Sequence, residues 1–192
     1  MAMPSNAQAP VYGAVPTEGV MRLVVLVLLA IGGSLLIALA GQIKVPFYPV
    51  PATLQTLACL LIGAAFGLRL GVATVAFYLA QGALGLPVFT GGAGLAYMAG
   101  PTGGFLIGFM ACAAAAGWAA DRGWNARPLR MFAAMLVGST VMMTLGFAWL
   151  STLIGADKAW IAGVQPFLLS ELTKAVLASG VMAVAVGWLR RR

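Results

Sequence analysis

No histidine occurs in this chain, and only four of its 192 residues are acidic. The first absence removes the side chain most used for proton transfer near neutral pH. It also removes the usual base that would activate a catalytic thiol. Cysteine is scarce as well: Cys59 and Cys112 stand alone inside apolar runs, which gives neither a metal-ligand spacing nor a disulfide framework. Charged residues make up 8% of the chain, against 62% hydrophobic. A soluble domain carries roughly 25% charged residues, so these are too few to cover a surface in water. The composition defines an all-α polytopic membrane protein. The net charge of +7 does not point to nucleic acid, because the cations flank hydrophobic segments and act as topology signals. The chain lacks a phosphate-binding loop, so ATP hydrolysis by that route is excluded.

What is present is a series of apolar runs. Residues 1–20 are small, polar and proline-bearing and are expected to form a disordered cytoplasmic tail. The rest, 21–192, is expected to be a single six-helix transmembrane domain. The first run, Leu23 to Ala40, ends in Ala38-Leu39-Ala40, like a signal-peptide cleavage site. Its length of about 18 residues is nevertheless enough to span, and it is read as a retained helix. The next helices are predicted over Thr53–Phe66 and Leu70–Leu84, joined by a tight turn at Gly67–Gly71. The last three are predicted over Gly103–Ala120, Met131–Ile154 and Pro166–Leu189.

The charges support that count. Six spans place Arg22, Arg69, Arg122, Arg127, Arg130 and Arg190–Arg192 on one side, eight cations. The other side receives only Lys44 and Lys158. By the positive-inside rule the first side is cytoplasmic, so both termini lie inside a cell (inner or plasma) membrane. Three external segments, 44–51, the Gly-rich stretch and 155–165, are then placed to close over a pocket.

The Gly-rich stretch, Gly91 to Phe109, holds seven glycines around Tyr97. Such a segment makes bends without Cβ clashes and lets backbone groups approach a ligand; a plain connector between helices is the competing reading. Two charges fall inside the last predicted helix, Glu171 and Lys174. With Pro166 at the first turn they lie roughly 8 and 12 Å below the helix start. They are three residues apart and share a face. Charges at such depth are costly and usually face the bundle interior. They mark either a ligand site or an ion pair that only locks helices together. Gln81, Thr53 and Gln55 lie at similar depth, as ligand groups or as helix-to-helix hydrogen bonds. Ala30, Ser34 and Ala38 form a small-residue stripe on the first helix, fitted to another helix of this chain or to a partner membrane protein.

Several motifs together resemble the BioY family of biotin transporters. These are Gly85-Leu-Pro-Val-Phe89, Gly91-Gly-Ala-Gly94, Tyr97, and Gly100-Pro-Thr-Gly-Gly-Phe105. Gln42-Ile43, Pro51-Ala-Thr-Leu-Gln-Thr-Leu57 and Pro166-Phe167 with Glu171 and Lys174 complete the set, in order from Met21 to Arg192. Two positions depart from the family pattern. Glu171 stands where aspartate is usual, reaching one methylene further, and Phe105 stands where tyrosine is frequent.

The resemblance implies a substrate-binding S component of an energy-coupling factor transporter. Such a protein captures biotin from outside and works with a transmembrane coupling protein and two cytoplasmic ATPases, with no cofactor. It implies Glu171, Lys174, Gln81, Tyr97, Thr53, Gln55, Gly91 and Gly92 as ligand-binding residues. It also places the coupling-protein contact at Ala30, Ser34 and Ala38. Biotin's chemistry suits such a pocket: two ureido N–H donors, one strong acceptor, an apolar ring and chain, and a carboxylate. Tyr97, Phe47 and Tyr48 would pack on the rings or close the entrance. An intramembrane enzyme, a structural membrane subunit and a self-sufficient transporter of another solute are the competing functions. The first lacks a nucleophile–base pair, and the last lacks broken helices in paired inverted halves.

Overall fold

The computed structural model describes residues 19–46 and 48–189, with only the backbone of Leu189. The proposed tail through residue 18, Phe47 and Arg190–Arg192 lie outside the described residues. Among the described residues, seven α-helices run in the order α1 (Gly19–Ala40), α2 (Gln55–Ala83), α3 (Gly94–Met98), α4 (Gly103–Asp121), α5 (Pro128–Ile154), α6 (Ala156–Gly163) and α7 (Leu168–Leu189). Short 3-10 turns at Trp124–Ala126 and Gln165–Phe167 precede α5 and α7. A two-residue antiparallel pair, β1 (Lys44–Val45) with β2 (Ala52–Thr53), ties the loop after α1.

Helix α2 is two helices in one run of residues. Gly67 has φ 76°, a left-handed conformation that glycine adopts without a Cβ penalty. The halves, 55–66 and 68–83, fold back on each other there. A Cβ built on Gly71 would sit 3.0 Å from the Cα of Gly63, residues that a straight helix would hold ~12 Å apart. The predicted turn over Gly67–Gly71 is therefore corrected. Gly67 alone makes the bend, and Gly71 serves helix packing. Asp121, at the end of α4, accepts the Leu68 N–H at 3.1 Å, satisfying a donor at the start of the second half.

The two halves of α2 with α1, α4, α5 and α7 make six long helices. Five segments are long and apolar enough to cross a membrane, counting the α2 hairpin once and α6 with α7 as one. Large apolar side chains such as Leu28, Leu35, Val137, Val176 and Val184 face outward, as a bilayer requires and water does not. Between helices, small residues allow close approach. The α2 hairpin and α4 meet where a Cβ on Gly63 would lie 2.4 Å from the Ala113 carbonyl oxygen. Helix α1 is peripheral and buries only Gly33, Ser34 and Ile37.

Arg69 lies at the hairpin tip, and that tip packs against the C-terminus of α4, which leads to Arg122 and on to Arg127 and Arg130. Lys44 and Lys158 belong to the opposite end, with β1 and α6. Among the described residues, the bundle thus separates Arg69, Arg122, Arg127 and Arg130 from Lys44 and Lys158. Two boundaries differ from expectation. The segment 155–165 contains helix α6 and is not an open loop. Pro166 lies in a 3-10 turn, where its missing N–H costs nothing, and α7 begins at Leu168. Glu171 therefore falls in the first turn of α7, shallower than the sequence estimate.

Candidate functional site

Helix α7 carries the charged centre. Glu171 and Lys174 project from one face, and the Lys174 ammonium donates to Glu171 Oε1 at 2.5 Å. Both side chains are 7% exposed. Thr56, one residue into the α2 hairpin from Gln55, reaches the same carboxylate oxygen at 3.4 Å, a long contact for a hydroxyl donor. The second oxygen, Glu171 Oε2, is buried and makes no hydrogen bond among the described residues. Buried carboxylate oxygens are almost always satisfied, so this one stands out.

Thr53, Thr56, Phe105, Met143, Glu171 and Lys174 are among the residues lining a narrow cavity of about 40 Å³ at this centre. It has room for a few water molecules at ~10–15 Å³ each. Val50 and Pro51 line its outer side. Phe105 contributes an aromatic wall together with Phe167, their ring centroids 6.5 Å apart. Phe105, where the family pattern often has tyrosine, packs against Gly146 so closely that any Cβ there would enter its ring.

A second cluster forms an outer lid from the Gly-rich stretch. Phe89 is 1% exposed. It stacks on Tyr97 at 5.3 Å and meets Tyr78 edge-on at 5.6 Å. Its ring covers Gly82. The Tyr97 hydroxyl donates to the Thr90 carbonyl at 2.8 Å. The Thr90 hydroxyl lies 3.1 Å from both the Gly41 carbonyl and Gln55 Oε1. Gln55 Nε2 donates to the Tyr78 hydroxyl at 2.5 Å, which donates onward to the Val88 carbonyl at 3.1 Å. Trp149 Nε1 holds the Gly100 carbonyl at 2.9 Å. The stretch is thus fastened to α1, α2 and α5 at several points.

The eight sequence-predicted ligand residues therefore separate into three groups. Glu171, Lys174 and Thr53 line the cavity. Gln55, Tyr97, Gly91 and Gly92 belong to the lid. Gly91 has φ 88°, and Gly92 has no Cβ because the Tyr97 ring occupies that space. Gln81 stands apart, accepting the Ser34 hydroxyl of α1. Thr53 also accepts the Gln55 N–H at 3.3 Å, an ST turn that starts the α2 hairpin. Tyr48 is 92% exposed and packs on neither cluster. The stripe on α1 turns Ser34 into the bundle, and Ala30 and Ala38 are half-buried beside it.

Sequence reasoning missed Thr56, Tyr78, Phe105 as a wall, and Met143. Thr56 follows Gln55 directly in an apolar run and gives no signal of its own.

Fold and site together define a multi-pass helical membrane protein with a buried ion pair and, beside it in the chain's architecture, a loop cluster fastened to the helices. The BioY family model matches residues 14–191, and the chain belongs to the BioY family. A probable biotin transporter BioY of Pyrococcus horikoshii is 37% identical over 144 residues, 74% of this chain and 85% of that protein. The biotin transporter BioY of Rhizobium etli is 36% identical over 176 residues, 85% of this chain and 94% of that protein. Among solved structures, a 2.1 Å crystal structure of the S-component for biotin from an ECF-type ABC transporter superposes with TM-score 0.74. It shares 24% identity, over 92% of this chain and 96% of that one, and has the same fold.

Proposed function

We propose that residues 21–192, as one membrane domain, capture biotin and pass it inward as the substrate-specific subunit of an energy-coupling factor transporter. The reading makes the chain a transport protein and not an enzyme. The observation that carries it is the Glu171–Lys174 pair, buried on α7 with one carboxylate oxygen unpartnered among the described residues. An isolated structural lock has no use for a free acceptor at that depth, where an unpaired polar atom is costly. A ureido N–H would complete it. Lys174 adds a cation within reach of the same cavity, for the ureido oxygen or the carboxylate.

Membership of the BioY family and the names of its relatives support biotin as the solute. The shared fold with an S-component supports a coupling partner in the membrane and two ATPases on the cytoplasmic side. With Ser34 occupied by Gln81, a coupling protein would meet the stripe of α1 at Ala30 and Ala38, next to the outward apolar face of that helix.

Calorimetry on the detergent-purified chain tests the reading. Biotin should bind with a measurable heat while other vitamins, used as controls, give none. Binding of a different vitamin in its place would redirect the assignment to another solute.

The cation split gives the orientation, with both termini cytoplasmic. After replacement of Cys59 and Cys112, a cysteine at residue 5 or 192 should resist an impermeant thiol reagent in whole cells. Lys158→Cys should react. Labelling of the terminal cysteines with protection at 158 would invert the topology.

A further inference from the structure

Four exposed arginines gather at the end of the bundle that the cation split assigns to the cytoplasm: Arg69, Arg122, Arg127 and Arg130. Among the described residues none of them pairs with a carboxylate. Asp121 is the one acid at this end among those residues, and its Oδ2 accepts the Leu68 N–H at 3.1 Å. Glu171 is taken by Lys174, and Asp157 belongs to α6 at the far end. The positive charge at this end therefore has no counterion among the described residues.

One of the four arginines is held in a defined position. Arg122 directly follows α4, and its guanidinium lies over the Trp118 ring, 3.6 Å from the ring centroid. Trp124 meets the same indole edge-on, at 5.2 Å and 82°. Arg122 Nη1 donates to the Trp118 carbonyl at 3.3 Å. Its other N–H groups have no acceptor among the described residues. The stack thus holds a guanidinium with donors to spare, in the fork that matches a phosphate or carboxylate.

The surroundings decide which anion fits. Trp118 is 40% exposed and lies in the last turn of a membrane-spanning helix, the level where indoles sit between headgroups and hydrocarbon. Helix α5 packs alongside, where a Cβ on Gly138 would lie 3.0 Å from that of Ala115. Next to that contact, Leu136 and Val137 are exposed to the bilayer. A small anion in water gains nothing from this apolar flank. An amphiphile with an anionic head and acyl chains fits both parts.

We propose that Arg122, Trp118 and Trp124 form a binding site for an anionic phospholipid of the cytoplasmic leaflet. The lipid phosphate accepts from the Arg122 guanidinium. Arg127 and Arg130, at the start of α5, add attraction for the headgroup, as basic residues at this leaflet do. One acyl chain runs past Trp118 along α4 and α5. The site is remote from Glu171 and Lys174, and the inference stands apart from the identity of the solute.

The test titrates phosphatidylglycerol into the detergent-solubilised full-length chain and counts bound lipid by native mass spectrometry. Phosphatidylcholine with the same acyl chains is the control, and thermal melting is measured alongside. The native chain should bind phosphatidylglycerol in preference. Arg122→Gln should cut that preference about fivefold, the scale of one cation at an anionic surface, with an unchanged melting temperature because the side chain is exposed. Trp118→Leu keeps every charge but removes the stack, and should cut it about threefold, the scale of an exposed cation–aromatic contact. Lys44→Gln, at the opposite end, should leave it unchanged. Equal uptake of the two lipids by the native chain overturns the site and leaves the arginines as topology signals or as a surface for an acidic protein. An equal fall in Lys44→Gln and Arg122→Gln reduces the effect to net charge and also overturns it. So does displacement of the lipid by an equal concentration of glycerol phosphate, which would make the ligand a soluble phosphate.

Discussion

Lys174→Ala is expected to weaken biotin binding by about 1.5–3 kcal/mol, a factor of roughly 10 to 150. The ammonium is the strong partner of Glu171 Oε1, at 2.5 Å, and the remaining contact from Thr56 is long at 3.4 Å. Its loss leaves a carboxylate buried with almost nothing to balance it and removes a cation from the cavity. Breaking a buried pair from one side costs more than the pair itself contributes, so the melting temperature should fall as well. Glu171→Gln keeps the shape and one acceptor but strips the charge that strengthens a bond from an N–H. A loss of similar size is expected. Glu171→Asp should be mild, since aspartate is what the family pattern carries there. The comparison is made by calorimetry on variants that remain monodisperse. Near-native affinity in both Lys174→Ala and Glu171→Gln would mark the pair as a structural lock.

The second large effect concerns the lid. Phe89 is the side chain on which the Gly-rich stretch is assembled, in contact with Tyr78, Tyr97 and Gly82. Phe89→Ala removes an entire buried ring, a change that costs ~3–5 kcal/mol in packed interiors. The loss should be local, because the ring packs on Tyr97 of the lid and on Tyr78 and Gly82 near the end of the α2 hairpin. Hydrogen exchange across residues 85–100 should quicken by more than a hundredfold while the cores of α4 and α5 stay protected. Biotin should also leave faster. Gly82→Ala provides an independent check, since its methyl would sit 2.0 Å from the Phe89 ring and force the ring out. Unchanged exchange of the lid in both variants would mean that the stretch is held by its backbone bonds alone.

Much of this architecture is legible in the sequence because a bilayer imposes simple rules. Apolar length marks the helices, and Arg69, Arg122, Arg127 and Arg130 fall at the opposite end of the bundle from Lys44 and Lys158. Glu171 and Lys174 stand out because charge inside an apolar run has few explanations. The uncharged groups are a different matter. Thr74, Thr140, Thr144, Ser151 and Thr173 all bond the carbonyl four residues back on their own helix. Thr56 looks identical to them in sequence, yet it reaches across to Glu171. Depth leaves Gln81 as a ligand group or a helix-to-helix hydrogen bond, and rotation about the helix axis turns it to Ser34. Hydropathy carries no information on that rotation. Glycine is ambiguous for a similar reason. Gly67 and Gly71 look like two ends of one turn, whereas the first supplies a left-handed bend and the second a close helix contact. The glycines at 91 and 92 suggested a backbone cradle for a ligand. In the structure Gly92 makes room for Tyr97.

The central claim is that the buried pair on α7 is where biotin binds. The most direct test is a calorimetric titration of biotin into the native chain and into the folded, monodisperse Glu171→Gln, Lys174→Ala double variant. The account predicts tight binding by the native protein and a loss of at least tenfold in the double variant. Full affinity in the double variant would contradict it and leave Glu171 and Lys174 as a lock between α7 and the rest of the bundle.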